Sequence, residues 1–183
     1  ADLPEAPLFL LANEFFDALP IRQFLRVGTG WAERVVGVQD GALVFGLTEP
    51  VALAALESRL ADTQEGDMVE TCAPATGIAA EIGRRIAEHG GAALIVDYGS
   101  DQSLGDTFQA VRRHRKLGPL DCPGEADLTA HVDFGALAQA APCATAPLVP
   151  QGIFLERLRI TDRARALAAK LEGPALDSHI AAH

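Results

Sequence analysis

The sequence predicts an α/β domain built on a parallel sheet, and three observations carry that prediction. Residues 8–11 form an unbroken apolar run, Leu8-Phe9-Leu10-Leu11, that reaches polar residues at Asn13-Glu14. Residues 92–96 form a second apolar run that ends in Asp97-Tyr98-Gly99. Shortly before it, Ile78, Ile82 and Ile86 recur every four residues and stop at Gly90-Gly91. Short continuous apolar runs suit strands buried on both faces. Recurrence every four residues suits one face of a helix, and a helix feeding straight into an apolar strand is half of a parallel crossover. Ligands of open α/β sheets bind beyond the carboxyl ends of the strands, which makes Asn13-Glu14 and Asp97-Tyr98 candidates for a shared site.

The elements follow in order. Residues 1–7 read as a lead-in, because Pro4 and Pro7 oppose regular structure. The first strand begins at Leu8. Residues 21–27 suit either a short helix or a strand, ended by Gly28 and Gly30. Residues 31–38 alternate, and Gln39-Asp40-Gly41 provides a hairpin turn into residues 42–47. Pro50 fits the first turn of a helix to about Leu60, with Leu53, Leu56 and Leu60 on one side. Residues 61–67 read as a polar loop. Pro74 opens the helix that carries the three isoleucines, and the glycine pair closes it. Residues 106–115 fit strand or helix equally, 122–125 a turn, and 126–132 an extended segment. Asp133 is placed to cap a helix over 134–141 that Pro142 closes. A short helix is expected over 151–158, then a last one capped by Thr161 or Asp162 and running through Leu171. Gly173-Pro174 is expected to terminate it and leave a loosely held tail.

A chain of 183 residues with 49% hydrophobic content is long enough for one folded domain. No apolar run approaches membrane-spanning length, and the first residues lack the basic and apolar regions of a signal peptide. The net charge of −10 disfavours nucleic acid, which needs clustered Lys and Arg. Cys72, Cys122 and Cys143 form neither a disulfide framework nor a Cys-x-x-Cys motif, so a reducing compartment is the simplest reading. A zinc site built from Cys72, Cys122, His114 and His131 would match no recurring ligand spacing. No Gly-x-Ser-x-Gly elbow supports a hydrolase.

Residues 12–20, Ala-Asn-Glu-Phe-Phe-Asp-Ala-Leu-Pro, resemble the signature of the MidA family. That family includes the mitochondrial complex I assembly factor with arginine methyltransferase activity, and it is similar to class I S-adenosylmethionine-dependent methyltransferases. The resemblance continues at residues 30–36, Gly-Trp-Ala-Glu-Arg-Val-Val, and at 95–99, Ile-Val-Asp-Tyr-Gly. It recurs at Gly105-Asp106-Thr107 with Arg112-Arg113-His114, over 123–134, and at Gln151-Gly152-Ile153-Phe154-Leu155. Phe108 stands where the family pattern suggests leucine, and Arg159 where it suggests glycine.

The resemblance implies a Rossmann-like class I methyltransferase sheet with S-adenosylmethionine as cofactor. It implies a protein substrate, an arginine of a respiratory complex I subunit, and a cytoplasmic or mitochondrial-matrix setting; no nucleic acid and no membrane span are expected, and a homodimer stays open. The family carries its cofactor-binding glycine motif ahead of the matching region. This chain holds no Gly-x-Gly-x-x-Gly, since Gly28-Thr29-Gly30 lacks the third glycine. Residues 1–183 are therefore expected to be the C-terminal part of a methyltransferase-like domain, with residues 20–72 an insertion over the sheet edge. The alternative is a non-catalytic assembly module on the same scaffold.

Glu14 is the leading candidate for chemistry, because a carboxylate matches the planar donor fork of a guanidinium. Structural alternatives bond it to neighbouring backbone amides or pair it with Arg22. Asp17 could shape the same site or simply cap a helix. Asn13 could contact the methionine part of the cofactor. Phe15 and Phe16 could flank the sulfonium or the guanidinium through cation–π contact, with at least one expected in the core. Asp97 and Tyr98 should lie beside Asn13 on a neighbouring strand and serve substrate binding. His114 and His131 could orient a carboxylate or act as base.

Overall fold

The protein is described by a computed structural model covering residues 4–182, so the first three residues of the expected lead-in lie outside the described residues. The chain divides into two compact units that meet in sequence between Ala146 and Pro147. In chain order the first unit contains β1 (Leu8–Asn13), β2 (Arg22–Val27), β3 (Gly30–Gln39), β4 (Ala42–Leu47), β5 (Met68–Thr71), α1 (Ala73–His89), β6 (Gly91–Val96), β7 (Gly99–Ser100), β8 (Gln109–Arg112), β9 (Arg115–Leu117), β10 (Asp127–Thr129), β11 (Val132–Asp133) and α2 (Phe134–Ala140).

β1 and β6 pair in parallel, in register from Leu8 opposite Gly91 to Asn13 opposite Val96. Their carboxyl ends therefore coincide. α1 starts with Pro74 in its first turn and ends at Gly90, whose φ of 80° only glycine adopts freely. It lies on one face of the pair, where Ala12 and Ile95 pack with Ala75, Ala79, Ile78 and Ile82. Phe16, Val132 and Leu137 complete that core. α1 and the end of α2 come so close that Gly83 has no substitute: a Cβ there would lie 2.8 Å from Pro142 Cδ.

The expectation that β1 and β6 are buried on both faces is corrected: in β6 only Ile95 and Val96 are partly buried and the rest is exposed. Leu8, Leu10 and Ala12 are partly buried, but Phe9 on the opposite face is 80% exposed and Leu11 is also open. An apolar run reports what both faces of a strand can accept, and α1 covers only one of them.

Residues 22–71 build a separate antiparallel sheet in the order β4-β3-β2-β5. Asp40 and Gly41, at φ of 51° and 80°, make the expected two-residue turn between β3 and β4. Residues 21–27, left open between helix and strand, hold the central strand β2 between β3 and β5. Phe24, Trp31, Leu56 and Val69 form its core. The helix expected from Pro50 to Leu60 is corrected to two short 3-10 turns, Ala54–Leu56 and Ser58–Leu60. Val51 exchanges backbone hydrogen bonds of 2.9 and 3.1 Å with Trp31, which holds it extended where a helix would need it curled.

Within residues 106–115, left open between strand and helix, residues 109–112 form β8 and Arg115 begins β9. β8 pairs with β9 and with β10 in a three-stranded antiparallel sheet, and Arg113-His114 form the β8–β9 turn. The extended segment expected over 126–132 splits into β10 and β11, the latter parallel to β7. Asp133 caps α2 as expected, its Oδ1 accepting from the Ala136 N–H at 2.8 Å.

The second unit holds α3 (Gln151–Arg157), α4 (Ile160–Ala168) and α5 (Gly173–Ala182). α4 starts earlier than its expected caps. Arg159 precedes it in the left-handed region at φ 64°, with no side-chain cap. The residue standing where the family pattern suggests glycine thus sits where glycine is least strained. The expected stop at Gly173-Pro174 is also corrected, since it opens α5; proline lacks an N–H and suits a first helical turn. A ring nitrogen of His179 lies 2.9 Å from the Ala164 carbonyl, tying α5 to α4. Among the described residues, no helix is long and apolar enough to cross a membrane.

Candidate active site at the strand ends

β1 and β6 carry their chains to one edge, and the acids follow at once. The Glu14 N–H donates to the Val96 carbonyl at 2.9 Å, adding one rung to the parallel ladder. The backbone then turns with Glu14 at φ 47°, a region that non-glycine residues occupy at a cost and that Asp40, Arg113, His114 and Arg159 also adopt in this chain. Glu14 is exposed. Arg22, its expected structural partner, instead makes a fork to Glu33, with Nε–Oε1 at 2.7 Å and Nη2–Oε2 at 2.6 Å. No cation therefore neutralises Glu14 from within the described residues.

Asp97 stands beside it at the end of β6. Its Oδ2 accepts from the N–H groups of Phe16 at 2.9 Å and Asp17 at 3.2 Å, and its Oδ1 accepts from the Tyr98 N–H at 2.9 Å. These bonds clip the loop after β1 to the end of β6. Asp17 is only 6% exposed. Burial pushes its carboxyl above the ordinary carboxylate range; the charges of Asp97 and Glu14 push it further, while the N–H groups of Ala18 and Asp17 itself pull it back. Asp17 caps no helix, because β2 is the next regular element. Its carbonyl accepts from the Ala130 N–H at 2.9 Å, which ties the loop to the stretch after β10.

A cavity of about 340 Å³ lies against this loop. Asp17 and residues 18–21 form one wall; Gln23, Arg34, Val36 and Phe45 of the antiparallel sheet form another; Phe108 and residues 128–130 close it. The loop after β1 and the antiparallel sheet thus meet at the cavity, which Asp17 lines but Glu14 and Asp97 do not, and its size is at the lower end for a small-molecule pocket.

The other expected site residues divide. Asn13 is exposed at the end of β1. Phe15 is exposed and stands edge-on to Phe16, ring centres 5.2 Å apart. Phe16 is 3% exposed and belongs to the core, so a direct substrate contact through it is corrected: its ring fills the space between α1 and Val132. Tyr98 is exposed, and its carbonyl accepts from the Val132 N–H at 2.8 Å. His131 is exposed and its N–H donates to Thr107 Oγ1 at 2.8 Å. His114 occupies the β8–β9 turn, and neither histidine lines the cavity.

A second polar cluster escaped the sequence. Glu70 on β5 is 4% exposed. It accepts from Gln23 Nε2 at 2.7 Å, from the Thr107 N–H at 3.0 Å and from the Thr107 hydroxyl. Gln23 also donates to Asp106 at 2.8 Å, and Arg34 reaches Asp106 at 2.7 Å and Gln23 at 3.2 Å. The one available signal was a glutamate inside the apolar run Met68-Val69-Glu70, since a charged residue in a buried strand calls for partners. Among the described residues, no group of three or more His, Cys, Asp or Glu is placed to hold a metal.

A profile of the family described as "Putative S-adenosyl-L-methionine-dependent methyltransferase" matches residues 1–152. The chain is 42% identical over 172 residues to the mitochondrial protein arginine methyltransferase NDUFAF7 of Danio rerio, covering 91% of this chain and 40% of that one. It is 39% identical over 180 residues to the human protein of the same name, covering 96% and 40%. The chain therefore spans about 40% of the length of these curated relatives. Among solved structures it is similar, with a TM-score of 0.72 and 32% identity, to a "likely methyl transferase" from Burkholderia thailandensis bound to S-adenosyl-homocysteine. That likeness covers 97% of this chain and 48% of the other.

Proposed function

The chain belongs to that methyltransferase family, and from this premise we propose that it forms the substrate-facing part of an S-adenosylmethionine-dependent protein arginine methyltransferase. The observation that carries the reading is the convergence of Glu14, Asp17 and Asp97 at the shared carboxyl edge of two parallel strands, with Glu14 held at positive φ and no cation upon it. Clustered carboxylates without a counter-charge suit a cationic ligand, and both the guanidinium and the sulfonium of the cofactor are cations.

The residues present fit the cofactor by chemistry. Asn13 offers an amide at the strand end and Phe15 an exposed ring face beside it, so these would hold its methionine part. When bound, S-adenosylmethionine supplies a methyl carbon that the guanidine nitrogen takes while the carbon–sulfur electron pair returns to sulfur, leaving S-adenosylhomocysteine. Glu14 holds the guanidinium and keeps positive charge on its non-reacting nitrogens. Asp17, whose affinity for a proton is raised, receives the proton that the methylated nitrogen sheds. Asp97 is a positioning residue, fixing the loop that carries both. Tyr98 stands exposed beside Asp97 at the strand end, and the His131 backbone N–H donates to Thr107 Oγ1.

We further infer that residues 1–183 act as the C-terminal part of a larger domain whose preceding part carries the cofactor's glycine motif. The open face of β1 bearing Phe9 and Leu11, and the share of each relative that this chain covers, support that reading. The resemblance to the assembly-factor family favours an arginine of a respiratory complex I subunit as substrate, in the mitochondrial matrix for a eukaryotic protein and the cytoplasm for a bacterial one. Transfer of labelled methyl to arginine by the full-length protein tests the proposal. Glu14→Gln is expected to lower the rate on the order of a hundredfold while S-adenosylhomocysteine still binds. An unchanged rate removes Glu14 from the mechanism. Absence of both binding and transfer in the parent protein would favour a non-catalytic assembly module.

A further inference from the structure

The β3–β4 hairpin presents an apolar face that the packing of the described residues leaves unused. In the antiparallel register Arg34 lies opposite Leu47, Val36 opposite Phe45, and Val38 opposite Leu43, and these pairs share one face. Val38 is 71% exposed, and Val36, Leu43, Phe45 and Leu47 are all open to solvent. β4 is also the edge of its sheet. Its residues, Ala42-Leu43-Val44-Phe45-Gly46-Leu47, include no charge and no proline, the usual protections of a free edge. Such an edge is a template for another strand.

The face does not end in open surface. Val36 and Phe45 belong both to it and to the cavity whose opposite wall is Asp17. Arg34 stands at the same junction, but its charge is taken up by Asp106 at 2.7 Å and its guanidinium lies over the Phe45 ring at 5.0 Å. A strand added along β4 would lie about 4.8 Å beyond it. Every second side chain of that strand would fall on the Phe45 side. A residue opposite Phe45 would then face the cavity, and the residues two before and two after it would cover Leu43 and Leu47.

We propose that β4 is the docking edge for an extended segment of the protein substrate, which adds a fifth strand to the sheet and turns its arginine into the cavity that ends at Asp17. This rests on the methyltransferase reading above and adds a substrate pattern to it: apolar-x-Arg-x-apolar. Charge decides between occupants. A guanidinium complements Asp17, the acid that lines the cavity, whereas a second copy pairing β4 with β4 would bring no cation to it from that strand.

The test uses the full-length protein and two synthetic blocked peptides, Thr-Val-Ser-Arg-Ser-Val-Thr and the same peptide with both valines replaced by serine. Calorimetry should give the valine peptide at least about tenfold tighter binding, roughly 1.4 kcal/mol. Leu43→Lys and Leu47→Lys, both at solvent-exposed positions, should each abolish that preference. Binding of S-adenosylhomocysteine and the melting temperature should stay at parent values. Equal affinity for the two peptides, or a preference that survives both lysines, overturns the proposal. So does a dimer that Leu43→Lys dissociates in sedimentation, which would give the edge to a second copy. Peptide discrimination without methyl transfer would leave the docking edge standing and sink the catalytic reading.

Discussion

Two clusters of acid lie near the same cavity and treat their charge in opposite ways. Around Glu70, donors converge on the carboxylate: Gln23, the Thr107 N–H and the Thr107 hydroxyl, with Arg34 and Asp106 completing the network beyond Gln23. Around Asp17, the neighbours are two further acids, and burial with their repulsion raises its affinity for a proton. A satisfied buried carboxylate stiffens a fold. An acid pressed by like charges waits for a cation or a proton. Glu70 is accordingly a joint between β5, β2 and the Thr107 loop, and Asp17 fits the site proposed above.

The joint should give the larger stability effect. Glu70→Ala removes the acceptor of both Thr107 donors and leaves the Gln23 amide with Asp106 alone, and is expected to cost about 3 kcal/mol of unfolding free energy. Chemical denaturation of the full-length protein measures it. A cost below about 1 kcal/mol would mean that water satisfies those donors, and the contrast between the clusters would collapse.

How much of this was legible follows from sequence distance. β1, β6, α1 and the β3–β4 hairpin were readable because each announces itself locally, through an apolar run, isoleucines every four residues, or Asp-Gly between alternating segments. Glu14 and Asp97 could be placed together because the parallel-strand rule joins their runs. The Glu70 network was not readable, since Gln23 and Glu70 are 47 residues apart and Gln23 and Asp106 are 83 apart. The helix expected after Pro50 failed for a similar reason: Leu53, Leu56 and Leu60 have helical spacing, but a backbone bridge to Trp31 claims Val51. Gly173-Pro174 misled because the same pair serves a helix end or a helix start.

Asp17 sharpens the comparison through pH. Its folded carboxyl holds a proton to higher pH than the unfolded chain, whose aspartates ionise near about 3.9. Between those values the native state binds more protons, so stability falls as pH rises through the window and stays lowered above it. Asp17→Asn should remove that slope, making the protein more stable than the parent at neutral pH while slowing methyl transfer. Denaturation at pH 4 and pH 7 separates the cases. A variant less stable than the parent at pH 7 would show that the Asp17 carboxylate is satisfied after all, as Glu70 is.

Arg22 should produce the smallest change, and it decides whether Glu14 is free. Its fork to Glu33 lies at the surface, where the solvent screens most of the attraction despite the bidentate geometry. Breaking it in Arg22→Ala should cost less than replicate melts resolve, and the little that is lost should vanish in high salt. Methyl transfer should be unchanged, because Arg22 belongs to Glu33 and not to the acids at the strand ends. A rate that moves as far as in Glu14→Gln would place Arg22 on Glu14 during catalysis. The mouth would then carry its own counter-charge, and the difference between its carboxylates and the satisfied Glu70 would be one of degree.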